Sequence, residues 1–200
     1  MSQATALRQA ARVTLYRKDF PRFAEEQLKI VTKRSSLEPF ALYPFQRRLA
    51  DKVRAQQQRT GYVRQVWLKS RQLGHSTLAQ GLMFHRSILW PNVNAVVVAH
   101  DDGTAQQIFQ KAHAFYDNLE TWLRPMKRYS TRQELFFANP SDRDRGSVPG
   151  LKSRIVVASA RNIHSSAGGT YHSVHLSEAA RYPKPEEIET STLQTVALAP

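Results

Sequence analysis

The chain has 200 residues, 41% of them hydrophobic, which suffices for one domain with a real core and leaves little room for a second. Its 29 Lys and Arg against 16 Asp and Glu give a formal charge of +13, and 16 basic against 5 acidic side chains precede residue 76, so +11 of that charge falls within the first 75 residues. A polyanionic partner is the physical implication. The absence of cysteine excludes disulfides and thiolate metal sites, and neither a run of eighteen apolar residues nor a hydrophobic stretch behind the polar Met1 to Ala11 is present, so a soluble intracellular protein is expected.

In chain order, residues 5 to 33 read as two helical pieces, the second opened by Asp19 and Pro21 at the cap and first turn. Pro44 to Gln58 spaces Phe45, Leu49, Ala50 and Val53 as one helical face, with arginines on the other side. The β-branched and aromatic run Tyr62 to Leu68 then predicts a strand that feeds the polar loop Lys69 to Gly74. Ser76 to Leu89 is helical, the Val-rich Asn94 to Ala99 is a strand buried on both faces, and Thr104 to Leu119 is helical again. Ala138 to Ser153 is a Pro, Gly and charge-rich loop, Arg154 to Ser159 and Ser173 to Ser177 are further strands, and a last helix is expected from Glu186 to Leu198. Alternating strands and helices predict an α/β fold whose sheet is mainly parallel and flanked by crossover helices.

The junction Lys69-Ser70-Arg71-Gln72-Leu73-Gly74-His75-Ser76-Thr77 stands where a strand hands over to a helix. That is the place of a phosphate-binding loop, in which backbone N–H groups and the positive helix end surround phosphates and the first helical hydroxyl binds Mg²⁺. The strict pattern G-x-x-x-x-G-K-[ST] fails twice, at Lys69 for its first glycine and at His75 for its lysine. Arg71, Gln72, Gly74, Ser76 and Thr77 nevertheless match the form Arg-Gln-x-Gly-x-Ser-Thr. In this the chain resembles the large subunits of tailed-phage terminases, which often carry such a deviant Walker A loop with a basic residue near its start in place of the usual lysine. A cation must still face the β- and γ-phosphates, and Lys69 or Arg71 can supply it from the far side of the loop.

Two further stretches carry the same resemblance in the same order. Ser173-Val174-His175-Leu176-Ser177-Glu178 is similar to Walker B, an apolar strand ending in Asp-Glu. Glu178 matches the glutamate that orients the attacking water, and Ser177 stands where aspartate is expected, able to hold a metal-bound water without an aspartate's charge. Leu42-Tyr43-Pro44-Phe45-Gln46 resembles the adenine-recognition motif that terminases share with helicases, with Gln46 offering a donor and an acceptor to the base and Tyr43 a stacking ring. Ala167 replaces the arginine common before the glycine pair Gly168 and Gly169, so no arginine role is carried to it. His164, His172 and His175 lack an arranged acidic or sulfur ligand and are not read as a zinc site. Arg124, Lys127, Arg128, Arg132, Arg143 and Arg145 read as a solvated face, from which one arginine could reach a neighbour's nucleotide.

The resemblance implies a RecA-like P-loop NTPase of the ASCE type. Its expected organisation is an N-terminal helical appendage over 1–37 and an ATPase core over 38–200, a fragment stopping before the family's coupling motif and without its RNase H-like nuclease. It implies ATP and Mg²⁺ as cofactors, with residues 69 to 77, Tyr43 and Gln46 around ATP, Ser76 and, through water, Ser177 on the metal, and Glu178, Arg71 and Lys69 in catalysis. Implied partners are double-stranded DNA, a portal protein, a small terminase subunit and a homo-oligomeric ring of five, with no membrane. The expected place is the host cytoplasm, transiently at the procapsid portal vertex. A helicase or restriction-type translocase shares the motif order, and a non-hydrolysing nucleic-acid-binding protein with a decayed loop would share the departures at His75 and Ser177.

Overall fold

The computed structural model describes residues 2–68, 73–161, 170–184, 186, 193–194 and 196. They form an α/β structure divided into two compact units, one holding residues up to 85 with 114–124, the other 86–113 with 125–198.

In the first unit, α1 (Gln3–Lys18) is capped by Ser2 and ends at Asp19, whose carboxylate accepts the Arg22 N–H at 3.0 Å and so opens α2 (Phe20–Gln27) with Pro21 in its first turn. A short antiparallel ribbon follows, β1 (Lys29–Val31) on β2 (Leu37–Pro39), paired from Lys29↔Pro39 to Val31↔Leu37. Pro44 starts α3 (Pro44–Thr60), and Gly61 stops it in the left-handed region at φ 77°. The core gathers Tyr16, Phe23 and Leu28 with Leu78 and Phe84 of α4 (His75–Leu89), all fully buried. Phe20 and Phe40 close in on Gly81, where a Cβ would stand 3.2 Å from each ring, tighter than an ordinary contact.

Under this core the Tyr16 hydroxyl donates to Glu26 at 2.6 Å and accepts from Gln27 at 3.0 Å, while Gln27 also donates to Glu120 at 2.8 Å. His85 Nε2 lies 2.7 Å from the Tyr16 carbonyl, a bond that the neutral tautomer makes by donating. Burial pushes the His85 imidazole down to about 4. The unfolded chain therefore takes up this proton below its ordinary value near 6.5 while the folded one does not, so stability present above pH 6.5 is lost as the pH falls toward 4. We expect a loss of about 3 kcal/mol across that window, since every tenfold change in proton affinity between folded and unfolded chain is worth about 1.4 kcal/mol. Urea midpoints measured from pH 7 to 4.5 check it. His85→Gln, which can still donate to the carbonyl, should flatten the profile, and a parent profile flat over that range would contradict the assignment. The Tyr16 hydroxyl chiefly holds the Glu26 carboxyl low, and Gln27 chiefly holds that of Glu120 low.

The second unit is built on a five-stranded sheet in the order β4-β5-β6-β3-β7. The middle one of its three parallel strands is β3 (Asn94–Ala99), where Val96, Val97 and Val98 are fully buried, as a strand covered on both faces requires. β6 (Ser153–Ser159) and β7 (Ser173–Leu176) run parallel to β3 on either side, in register from Asn94↔Arg154 and from Ala95↔Ser173. α5 (Asp102–Asp117) follows β3, with the Asp101 carboxylate accepting the Thr104 N–H at 2.9 Å and its hydroxyl at 3.0 Å. The boundary between the units falls within α4 and within α5.

The α/β fold is as expected, and to its three parallel strands a hairpin of β4 (Tyr129–Ser130) and β5 (Glu134–Phe137) adds on β6 antiparallel, which makes the sheet mixed. Two expectations are corrected. Tyr62 to Leu68 is no strand: it pairs with none of the described strands, and Val66 and Leu68 are 89% and 94% exposed. Of the expected last helix, Glu186 is helical, but Leu193 and Gln194 lie in a turn and Val196 bridges Tyr171 in parallel, so the helix does not run on to Leu198; residues 187–192, 195, 197 and 198 lie outside the described ones. A bridge of that kind needs extended backbone, which a helix does not supply. No helix among the described residues is long and apolar enough to cross a membrane.

Candidate functional site

Two sets of candidate residues are brought together, one in each unit. In the first, the hinge is Gly74, held at φ +72°, a left-handed conformation that costs a residue with a Cβ about 1–2 kcal/mol. α4 begins at the next residue, so its first N–H groups and the positive end of its dipole belong to His75, Ser76 and Thr77. The Gly74 carbonyl accepts from the Leu78 N–H at 3.0 Å and from Gln46 Nε2 at 3.2 Å. A Cβ on residue 74 would lie 2.8 Å from that Nε2, so the amide of Gln46 fills the space a side chain would take.

Gln46 is thereby spent on the protein. Its Oε1 accepts the Tyr43 N–H at 3.0 Å, satisfying one of the donors left over at the start of α3, and the residue is 1% exposed. Tyr43 is 63% exposed and stacks on Phe45, with centroids 6.0 Å apart and planes at 15°. His75 packs its ring against Phe45 at 5.3 Å and Trp67 at 6.2 Å and is only 8% exposed, which makes it an aromatic wall rather than a substitute for the phosphate lysine. Ser76 and Thr77 are half-buried on the first turn, and Leu73 is exposed. Lys69, Ser70, Arg71 and Gln72, the expected cations among them, lie outside the described residues. Next to this set is a cleft of about 410 Å³ whose lining includes Phe45, Arg48, Leu49, Lys52 and Leu73.

In the second unit the candidates sit at the carboxyl edge of the parallel strands, the edge at which open α/β sheets carry their ligands. β3 and β7 end in register at Val98↔Leu176, so two residues further His100 and Glu178 are neighbours. Glu178 has φ 56° and ψ 44°, a left-handed conformation seldom adopted by a non-glycine residue. It precedes a 3-10 turn, Ala179–Arg181, yet its side chain makes no capping bond to that turn. Its Oε2 instead accepts from Arg181 Nη1 at 2.9 Å and lies 3.8 Å from His100 Nδ1. The other ring nitrogen of His100 pairs with Asp101, whose carboxyl is held low by the Thr104 backbone N–H first and the Thr104 hydroxyl second. Ser177 is buried, with its N–H donating to the Val98 carbonyl at 2.8 Å.

His100 is the residue that sequence reasoning passed over. No role was given to it, although its position just past the end of the Val-rich strand was a usable signal. Arg124, by contrast, is spent on the carbonyls of Asp117 and Leu119 at 2.9 Å each, and both Arg128 and Arg145 pair with Asp142. His172 Nδ1 accepts the Asn94 N–H at 3.1 Å, and His164 lies outside the described residues.

No family model matches the sequence, and no curated protein does. Among solved structures the chain is similar to a point mutant of the large terminase ATPase domain of Thermus phage P74-26, with 18% identity and a TM-score of 0.48. That alignment covers 62% of this chain and 51% of the other, so the chain spans about half the length of that domain.

Proposed function

We propose that this chain is the ATPase core of a viral DNA-packaging motor, a large-subunit terminase whose reaction is transfer of the γ-phosphoryl group of ATP to water. The observation that carries the reading is the junction at Gly74, a left-handed residue opening a 15-residue helix inside the sequence Arg-Gln-x-Gly-x-Ser-Thr. Backbone N–H groups there bind phosphate oxygens without any side chain, and the helix end adds to their field. Arg71 and Lys69 supply the cations that His75, packed among aromatic rings, does not.

Glu178 takes the proton of the attacking water, or orients that water, from the carboxyl edge of the sheet. Arg181 holds its carboxylate in place by donating to it at 2.9 Å. The hydroxyls of Ser76 and Ser177 are hard oxygen donors of the kind Mg²⁺ accepts beside retained waters. The ion, when bound, neutralises phosphate charge.

The proposed track is double-stranded DNA, consistent with α3, where Arg47, Arg54 and Arg59 are exposed outside the cleft against the single carboxylate of Asp51. A portal protein, a small terminase subunit and a ring of five copies complete the proposed assembly, formed in the host cytoplasm at the procapsid vertex.

Phosphate release by the chain with Mg²⁺ and ATP, with and without duplex DNA, tests the reading. Turnover raised by DNA is the expected result. Binding of DNA without any binding of nucleotide would replace this proposal with a nucleic-acid-binding protein on a decayed loop.

A further inference from the structure

We infer that the nucleotide site of this chain does not select among bases: it accepts any nucleoside triphosphate, recognising the phosphates and holding the base by stacking and by contact with cations. The inference rests on the ATPase reading above and concerns its substrate class.

An amide tells adenine from guanine when its oxygen meets the amino group at C6 of adenine, where guanine presents an acceptor, or when its N–H meets the reverse. Gln46 is the side chain whose place in the sequence suggests such a role, and the fold directs it elsewhere. Its acceptor is taken by the Tyr43 N–H at 3.0 Å and its donor by the Gly74 carbonyl at 3.2 Å. At 1% exposure, neither its second amide proton nor its second lone pair can be reached by a ligand. Turning it outward would strip the start of α3 of a partner and take away the amide that fills the space over Gly74. Gln46 is therefore a positioning residue for the phosphate loop.

Among the described residues, what remains beside Gln46 for the base is the neighbouring cleft of about 410 Å³, a volume in the ordinary range of small-molecule sites. Phe45, Leu49, Leu68 and Leu73 give it apolar walls together with the ring of His75, which is 8% exposed with its Nδ1 buried, while Arg48 and Lys52 carry donors alone. Every base presents an acceptor to such donors, and every base has a face to stack, so neither contact discriminates strongly. Tyr43, exposed and parallel to Phe45, extends the stacking surface.

The experiment is displacement of a fluorescent ATP analogue from the whole chain by ATP, GTP, CTP and UTP in the presence of Mg²⁺. We expect affinities within about tenfold of one another, the spread that stacking strength produces without hydrogen-bond readout. A preference for ATP beyond that overturns the inference, because sites that hydrogen-bond a substrate group reject analogues lacking it by far larger factors, up to about 10⁴-fold or more. If no nucleotide binds, analogue included, the ATPase reading itself falls and takes the inference with it. Gln46→Ala adds an independent arm: it should weaken all four nucleotides by a common factor, whereas a loss confined to ATP would restore Gln46 as the reader of the base. Should that variant fold poorly, the ratios of the parent chain decide alone.

Discussion

Glu178→Gln is expected to bind ATP as the parent does and to turn it over at least about 100-fold more slowly, the usual scale for removing a positioned acid or base. The substitution keeps the shape of the side chain. An amide oxygen can still accept from Arg181 Nη1, now 2.9 Å from the carboxylate, so the local structure has no reason to change. What is lost is the charge that draws a proton from water. The backbone argues that this position serves more than packing: holding a glutamate in the left-handed region costs about 1–3 kcal/mol, and its side chain makes no capping bond to the turn behind it that would offset the cost. Phosphate release and analogue binding, measured on the same preparation, separate the two effects. Turnover within a few-fold of the parent would reduce Glu178 to the ion-pair partner of Arg181.

The sequence made some elements legible because their signals are local. Asp19 and Pro21 announce α2, Pro44 announces α3, and the uninterrupted valines of β3 announce a strand buried on both faces. The failures come from information that is not local. Tyr62 to Leu68 has the composition of a strand, but a strand exists only where another offers its hydrogen bonds, and propensity carries no record of pairing. The β4–β5 hairpin escaped for a different reason. Its strands are two and four residues long, and its turn has no glycine or proline, being held by the Thr131 hydroxyl, which accepts the N–H groups of Gln133 and Glu134. The candidate site divides in the same way. The glycine, the following hydroxyls and the strand-end glutamate were readable as residue types. The employment of Gln46 was not, because its partner Gly74 lies 28 residues further along the chain.

Arg71→Ala is expected to lower turnover about ten- to a hundred-fold, and more if the transition state is the state that loses the contact. An ATPase whose loop has histidine in place of the usual lysine needs another cation for the charge that develops on the transferred phosphoryl group. The structure strengthens the demand, since the His75 ring is buried against Phe45 and Trp67 rather than offered to a ligand. Lys69 and Arg71 flank the loop in the sequence. Arg71 is the stronger choice because its planar guanidinium can bridge two phosphate oxygens and stays charged at any pH the protein survives, whereas an ammonium is a point charge. A missing charge-assisted hydrogen bond costs about 1.5–3 kcal/mol, which is the stated fold-change. Lys69→Ala should lose less, and His75→Ala should act mainly through the aromatic contacts it removes, with a smaller effect on turnover than Arg71→Ala. Steady-state kinetics on the three variants, with thermal melting to separate folding from chemistry, decides the order. If His75→Ala is the inactive variant while Arg71→Ala and Lys69→Ala turn over normally, the cation is not supplied from the start of the loop.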